Sequence, residues 1–329
     1  MAIAAQQPPA RRWRRAPVAV LALGLVTSAV TILGQGSASA AESSPIGWAS
    51  MNGGTTGGAG GSTVTVTSAS ALDSALQSSS RTIIRVSGMI SLSGMHKVAS
   101  NKSILGVGSG SGITGGGLNL SGVSNVIIRN LVFRNADDDS INVQESTRNV
   151  WIDHNDLASG HDGLTDIKRG SDFITVSWNY FHNHDKTALL GHDDGNGSQD
   201  IGHLRVTYHH NRFDGTTQRH PRVRFGNPVH VYNNYYQGNS GYGVASTCNA
   251  GVLVERNYFE NVSHPTVTQT GDSPSGNLRV INNYLVNSGA EQVRSGASVA
   301  AIPYAYTPDA NSSVKSIVIN GAGTGKIGL

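Results

Sequence analysis

The chain has 329 residues, with 24 Lys+Arg against 21 Asp+Glu and a formal net charge of +3. Residues 1–40 carry four arginines and no acidic residue, so the remainder stands at −1, which excludes a globally basic nucleic-acid-binding surface. The single cysteine, Cys248, excludes an intrachain disulfide, and 41 glycines with few aromatics favour many turns and short strands over a helical bundle.

Arg11, Arg12, Arg14 and Arg15 precede an apolar run from Ala16 to Leu33, and small residues follow, ending in Ala38-Ser39-Ala40. This is the pattern of a secretory signal peptide cleaved after Ala40. The alternative is a membrane anchor, but small residues dilute the run and an A-x-A site follows it. The arginine pairs permit a twin-arginine export route, although their flanks match that signal loosely. A secreted, extracellular protein is expected, with no membrane association after cleavage. Residues 41–329 suffice for one large domain or two small ones. Without disulfides, its stability must come from an extensive core or a bound metal.

Residues 41–62 are Gly/Ser-rich and read as irregular. Thr63–Thr67 alternates as a strand should. Ser70–Gln77 reads as a helix with Ser70 as its N-cap and Asp73 favouring the first turn. Thr82–Val86, Met89–Leu92 and Lys102–Leu105 read as short strands, and a Gly-rich passage (GVGSGSGITGGGLNLSG) follows. From residue 125 a repeat sets in: NVIIRNLVF, NVWIDHNDL, FITVSWNYF, RVTYHHNRF, VHVYNNYY, VLVERNYF and LRVINNYL. Its anchoring asparagines are Asn130, Asn155, Asn179, Asn211, Asn234, Asn257 and Asn283, spaced by 25, 24, 32, 23, 23 and 26 residues. The long interval holds a polar insert, 191–202. One strand-plus-turn signature per period of this length means a solenoid. Strands followed by Asn in a tight bend suit an all-β, right-handed parallel β-helix, closed at its N-terminal end by the helix at 70–77. Stacking then predicts an asparagine ladder and an internal column of Val132, Leu157, Phe181, Phe213, Tyr236, Phe259 and Leu285.

In such a fold, residues one period apart lie above each other at about 4.8 Å per coil. Asp137 and Asp139 follow the first anchor, and Asp162 and Asp166 follow the second. Four converging carboxylates are unstable without a cation, and hard oxygen donors in this number point to Ca²⁺; a solvated acidic edge is the plainer reading. Lys186 falls on the next coil. Then comes QRHPRVRFGNPVHVYNNYY, with Arg219, Arg222 and Arg224 around Pro221. Guanidiniums in a rigid turn suit carboxylates, although a lone turn of this kind can also be plain basic surface. A cation site beside a row of basic residues calls for a polyanion bearing carboxylates.

At these residues the chain resembles the pectate lyases of polysaccharide lyase family 1. The resemblance spans nearly all of residues 41–329. It includes TTGGAGG, SILGVGSGSGITGGGLNLSG, NVWIDH, GSDFITVSWNYFHNHDKTALLG and TYHHNRFDGTTQRHPRVRFGNPVHVYNNYY. It implies a parallel β-helix, dependence on Ca²⁺ and eliminative cleavage of α-1,4-linked polygalacturonate, the backbone of pectin. By motif, it places metal ligands at Asp137, Asp139, Asp162 and Asp166. Asp162 stands where relatives often have Glu, which keeps the charge and shortens the reach. It places a substrate-binding lysine at Lys186, the catalytic base at Arg219 and a second essential arginine at Arg224; Arg222 is unassigned. Asp153 and His154 belong to a family motif outside the groove and are expected to be structural. A guanidinium normally stays protonated, so the base role of Arg219 rests on the resemblance alone.

Three other readings compete. Pectin lyases act on methylated substrate and lack the metal site, whereas all four acidic positions are filled here. A β-helical polygalacturonase needs only paired carboxylates and leaves the Lys and Arg cluster idle. A non-catalytic polysaccharide binder leaves the R-x-P-x-x-R turn unexplained. His209-His210 with His182 and His184 suggest zinc, but without a recognised ligand spacing they are expected to be structural. A monomer is expected, since stacked coils bury their own strands.

Overall fold

The computed structural model describes residues 42–294, 296 and 298–329, together with 1, 2 and 4. The expected export segment, 1–40, otherwise lies outside the described residues. No described helix is long and apolar enough to cross a membrane.

Short β-branched strands, each ended by a residue that accepts the left-handed backbone region, wind into three parallel sheets of ten, nine and eight strands. One coil shows the plan. Arg148–Asp153 joins the ten-stranded sheet, Asp156–Ala158 the nine-stranded sheet and Thr165–Ile167 the eight-stranded sheet. Asp172–Ser177 then returns to pair in parallel beside Arg148–Asp153. The expected parallel β-helix is therefore the fold.

Register stacks like on like. Val126, Val150 and Ile174 align on successive coils, as do Ile128, Ile152 and Val176, and all six are buried. In the nine-stranded sheet, Phe181, Phe213, Tyr236 and Phe259 form a column with ring centroids 5.1, 5.0 and 4.4 Å apart. Burying each of these side chains contributes roughly 2–3 kcal/mol.

The asparagine ladder runs from Asn155 through Asn179, Asn211, Asn234 and Asn257 to Asn283. Each side-chain amide donates to the next Oδ1 at 2.9–3.1 Å. Three expectations need correction. Arg129 pairs with Asp153, so Asn130 lies level with His154, one residue out of the ladder; its amide donates instead to the Gly106 and Gly108 carbonyls. For the same reason Phe133, not Val132, tops the internal column opposite Leu157. The left-handed position is also not the ladder asparagine but the residue before it: His154, Trp178, His210, Asn233, Arg256 and Asn282. The ladder residues use their amides to join coils, not to bend the chain.

The N-terminal helix, α1, spans Ala69–Gln77 and is capped by Ser68, not Ser70; the Ser68 Oγ accepts the Ala71 N–H at 3.4 Å. Asp73 bonds Gln77 and His96 instead of the first turn. Leu72 and Leu76 of α1 are buried in the same core as the strands of the first coils. A helix near the C-terminus, Val314–Gly321, was not anticipated. It lays Val314 and Val318 against Tyr235 on the outside of the nine-stranded sheet.

Candidate active site

The turns that lead from the nine-stranded to the eight-stranded sheet carry the chemistry. Asp138 and Asp139 lie between the strands Val132–Arg134 and Ile141–Gln144. Asp162 occupies the equivalent turn one coil on, and Asp166 sits in the strand that follows, level with Asn142. Lys186 precedes Leu189–Leu190 and bridges Gln218, the neighbour of Arg219, on the next coil. Stacking alone thus gathers residues from four coils.

Among the described residues, Asp138, Asp139 and Asp162 each offer an oxygen within 4.8 Å of the others, the only such cluster of potential metal ligands. Asp139 and Asp166 are buried, at 4% and 2% exposure. The Gly163 N–H donates to Asp139 Oδ1 at 2.8 Å, and the Leu189 N–H to Asp166 Oδ1 at 3.2 Å. The crowding explains Gly163: a Cβ there would stand 2.1 Å from Asp166 Oδ1 and 2.9 Å from Asp139 Oδ1. Burial pushes the pKa of Asp139 up. Burial, and then repulsion from Asp139, pushes Asp166 up to about 7. Lys168 partly offsets this, with Nζ 3.2 Å from Asp139 and 3.9 Å from Asp166. Two buried like charges held by one lysine remain short of positive charge, which a cation would supply.

Asp162 behaves differently. Burial opposes its ionisation, but Lys186 Nζ at 3.0 Å and Arg219 Nη1 at 3.8 Å outweigh it and hold its pKa below the usual carboxylate range. Lys186 and Arg219 therefore converge on one carboxylate of the acidic cluster. Among the described residues, the Nε of Arg219 is buried without a hydrogen-bond partner. Arg224, by contrast, is bonded through Nε to Asp194 at 2.6 Å and through Nη1 to the Gly191 carbonyl at 3.2 Å. Arg222 donates to Ser273 Oγ at 2.7 Å, and burial, with Arg224 beside it, lowers its pKa.

The structure thus brings together Asp139, Asp162, Asp166, Lys186 and Arg219, with Arg224 on the adjoining strand. Asp137 is not one of the three carboxylates that lie within 4.8 Å of one another. Its carboxylate is exposed and accepts the Gly94 N–H at 2.7 Å, because its turn lies beside the loop of an earlier coil. Asp138 presents its oxygen to the cluster instead. Sequence reasoning also missed Lys168, although it stands two residues after Asp166, just past the end of its strand, where an extended chain keeps it on the same face. It missed Asp194 as well, which lies in the insert, where no period applies.

The remaining candidates are bonded to other protein groups. Asp153 is buried and bonds Arg129, Ser177 and His154 outside the acidic groove. His182 bonds Asp156, His184 bonds the Asp162 carbonyl, His209 bonds His210, and His210 bonds Asp309. The Nε2 of His209 is buried without a hydrogen-bond partner, and these imidazoles form no cluster of potential metal ligands among the described residues. Cys248 is buried, 3.5 Å from Asp194.

A family model described as pectate lyase matches residues 17–327. The pectate trisaccharide-lyase of Bacillus licheniformis is 36% identical over 336 residues, covering 94% of this chain and 97% of that protein. Pectate lyase plyB of Emericella nidulans is 40% identical over 296 residues, covering 86% and 90%. A solved pectate lyase from Bacillus sp. N165, in complex with trigalacturonate, superposes with a TM-score of 0.77 at 33% identity, over 85% of this chain and 99% of that one. These relatives are polysaccharide lyases, from bacteria and a fungus alike. By family model, sequence and three-dimensional structure, this chain belongs to the pectate lyase family.

Proposed function

We propose that this protein is a secreted, Ca²⁺-dependent pectate lyase that cleaves α-1,4-linked polygalacturonate by β-elimination, leaving 4,5-unsaturated oligogalacturonides. The observation that carries the reading is the junction of buried, mutually repelling carboxylates with Lys186 and Arg219 at one edge of the β-helix. A solved relative binds trigalacturonate, a fragment of this polymer.

The donor set fits a calcium ion: carboxylate oxygens only, two of them on buried aspartates that resist ionising together. Asp139, Asp162 and Asp166, with Asp138, would hold it. When bound, the ion draws charge from the uronate carboxylate and so acidifies the proton at C5.

The chain's own groups supply the rest. Lys186 and Arg224 bind uronate carboxylates and orient the sugar. Arg219 takes the C5 proton. The C5–H electron pair becomes the C4–C5 double bond, the bond from C4 to the glycosidic oxygen breaks, and that oxygen leaves with the electron pair and takes up a proton. Arg219 suits the base role better than Arg224, because no carboxylate bonds it as closely as Asp194 bonds Arg224. Alkaline pH favours a guanidine as base. Residues 1–40 would direct export; the N-terminus of protein recovered from the medium should then be Ala41.

The test is ultraviolet absorbance of polygalacturonate incubated with the protein at alkaline pH, with Ca²⁺ or with excess EDTA. A rise that EDTA abolishes supports both lyase and metal site. A rise indifferent to EDTA refutes calcium dependence and points to pectin-lyase chemistry. New reducing ends without absorbance identify a hydrolase, and neither signal identifies a binding protein; both overturn the proposal.

A further inference from the structure

The insert 191–202 is the largest departure from the repeat, and it folds toward the arginines. Asp194 Oδ1 accepts three donors: Arg224 Nε at 2.6 Å, Ser273 Oγ at 2.8 Å and Cys248 Sγ at 3.5 Å. Ser273 in turn accepts Arg222 Nη2 at 2.7 Å. The Gly191 carbonyl, at the root of the insert, takes a second N–H of Arg224 at 3.2 Å. Four segments of chain therefore meet at one carboxylate oxygen. The insert is itself anchored: the Gly170 N–H donates to Asp200 Oδ1 at 2.7 Å, and Asn196 Nδ2 to Asp200 Oδ2 at 2.9 Å.

A guanidinium on a long, freely rotating side chain loses much rotamer freedom when it must hold one direction. Here the insert imposes that order before substrate arrives. Nε and one Nη1 hydrogen are engaged, and the other hydrogens of the fork stay available for a planar carboxylate. Among the described residues Arg219 has no equivalent clamp; its ion-pair partner, Asp162, is 3.8 Å away.

We propose that Asp194 is the positioning residue for Arg224 and, through Ser273, for Arg222, so that the insert aims the carboxylate-binding arginine into the groove. This rests on the reading of Arg224 as a substrate-binding group.

The experiment measures kcat, KM and Tm on polygalacturonate for Asp194→Asn, Asp194→Ala, Arg224→Ala and the double variant Asp194→Ala/Arg224→Ala. The expected result is graded: kcat/KM falls about tenfold for Asn, which keeps the acceptor oxygen without its charge, and about a hundredfold for Ala, as for a misaligned reacting group. In the Arg224→Ala background, the loss from Asp194→Ala should vanish, since the residue acts through that arginine. A merely structural role would lower Tm and impair both backgrounds equally, and that result overturns the proposal. So does Asp194→Ala at parental rate while Arg224→Ala is inactive. Parental kinetics for Arg224→Ala would instead sink the reading of Arg224, and the proposal with it. Should Asp194→Ala fail to fold, the nearly isosteric Asn variant decides, and parental kinetics there overturns the proposal.

Discussion

Substituting Asp166 by asparagine should stabilise the metal-free protein while abolishing its response to calcium. Asp166 is almost fully buried, and burial with repulsion from Asp139 raises its pKa from 3.8 to about 7. A folded pKa above the unfolded value means the group's contribution is fully present below about pH 4 and is lost as pH rises through about 7. At 1.36 kcal/mol per pH unit, the full loss is at most about 4 kcal/mol. Asparagine never ionises, and its carbonyl can keep the Leu189 N–H bond of 3.2 Å. It gives up the 3.9 Å contact with Lys168, but Lys168 keeps Asp139 at 3.2 Å. The net relief is therefore about 2–3 kcal/mol, or roughly 5 °C in Tm for a domain of this size. In EDTA the gain should be near zero at pH 4 and complete at pH 8. Saturating Ca²⁺ should raise the Tm of the parent through linkage and leave the variant nearly unmoved. Thermal unfolding of both proteins from pH 4 to 8, with EDTA and with Ca²⁺, checks each arm. A variant less stable than its parent in EDTA at pH 8 would refute the buried-repulsion argument. A parental calcium shift in the variant would refute Asp166 as a ligand.

Arg219→Lys should lower kcat by 10²–10⁴-fold, the range for losing a general base, with KM little changed; full activity would remove Arg219 from that role. Asn211→Ala deletes four buried hydrogen bonds of the ladder, to Val176, to Asn234 and two from Asn179. At about 1 kcal/mol each, urea unfolding should show a loss of about 4 kcal/mol, and a change under 1 kcal/mol would mean the ladder is ornamental. His220 is buried in the arginine turn, donating through Nδ1 to the Tyr242 carbonyl and accepting from Thr216, and burial lowers its pKa to about 4. Because the folded value lies below the unfolded 6.5, this stability is present above about pH 6.5 and lost as pH falls through about 4, by about 3 kcal/mol in all. His220→Gln should therefore lose less stability than the parent between pH 7 and 4, and an equal acid slope for the two proteins contradicts the buried neutral imidazole.

The period of 23 to 26 residues and its recurring asparagines were enough to determine a parallel β-helix, because each coil can bury its apolar face only on its neighbours. The same stacking makes distant sequence positions adjacent. That is why Asp139, Asp162, Asp166, Lys186 and Arg219 could be gathered into one groove from spacing alone. Register to a single residue was beyond the repeat: Asn130 resembles its counterparts in sequence but lies one step out, a difference fixed by strand pairing between coils. Side-chain direction in a turn was likewise undecided. Three consecutive aspartates look alike in sequence, and only the structure bonds Asp137 to the loop at Gly94 and sets Asp138 among the three clustered carboxylates. Asp194 was invisible for a different reason. It lies in a segment outside the period, and its contact with Arg224, thirty residues away in sequence, exists only because the insert folds back onto the groove. Periodic burial thus wrote the scaffold into the sequence, whereas the partners of individual charges were decided by aperiodic loops whose course depends on the packed structure around them.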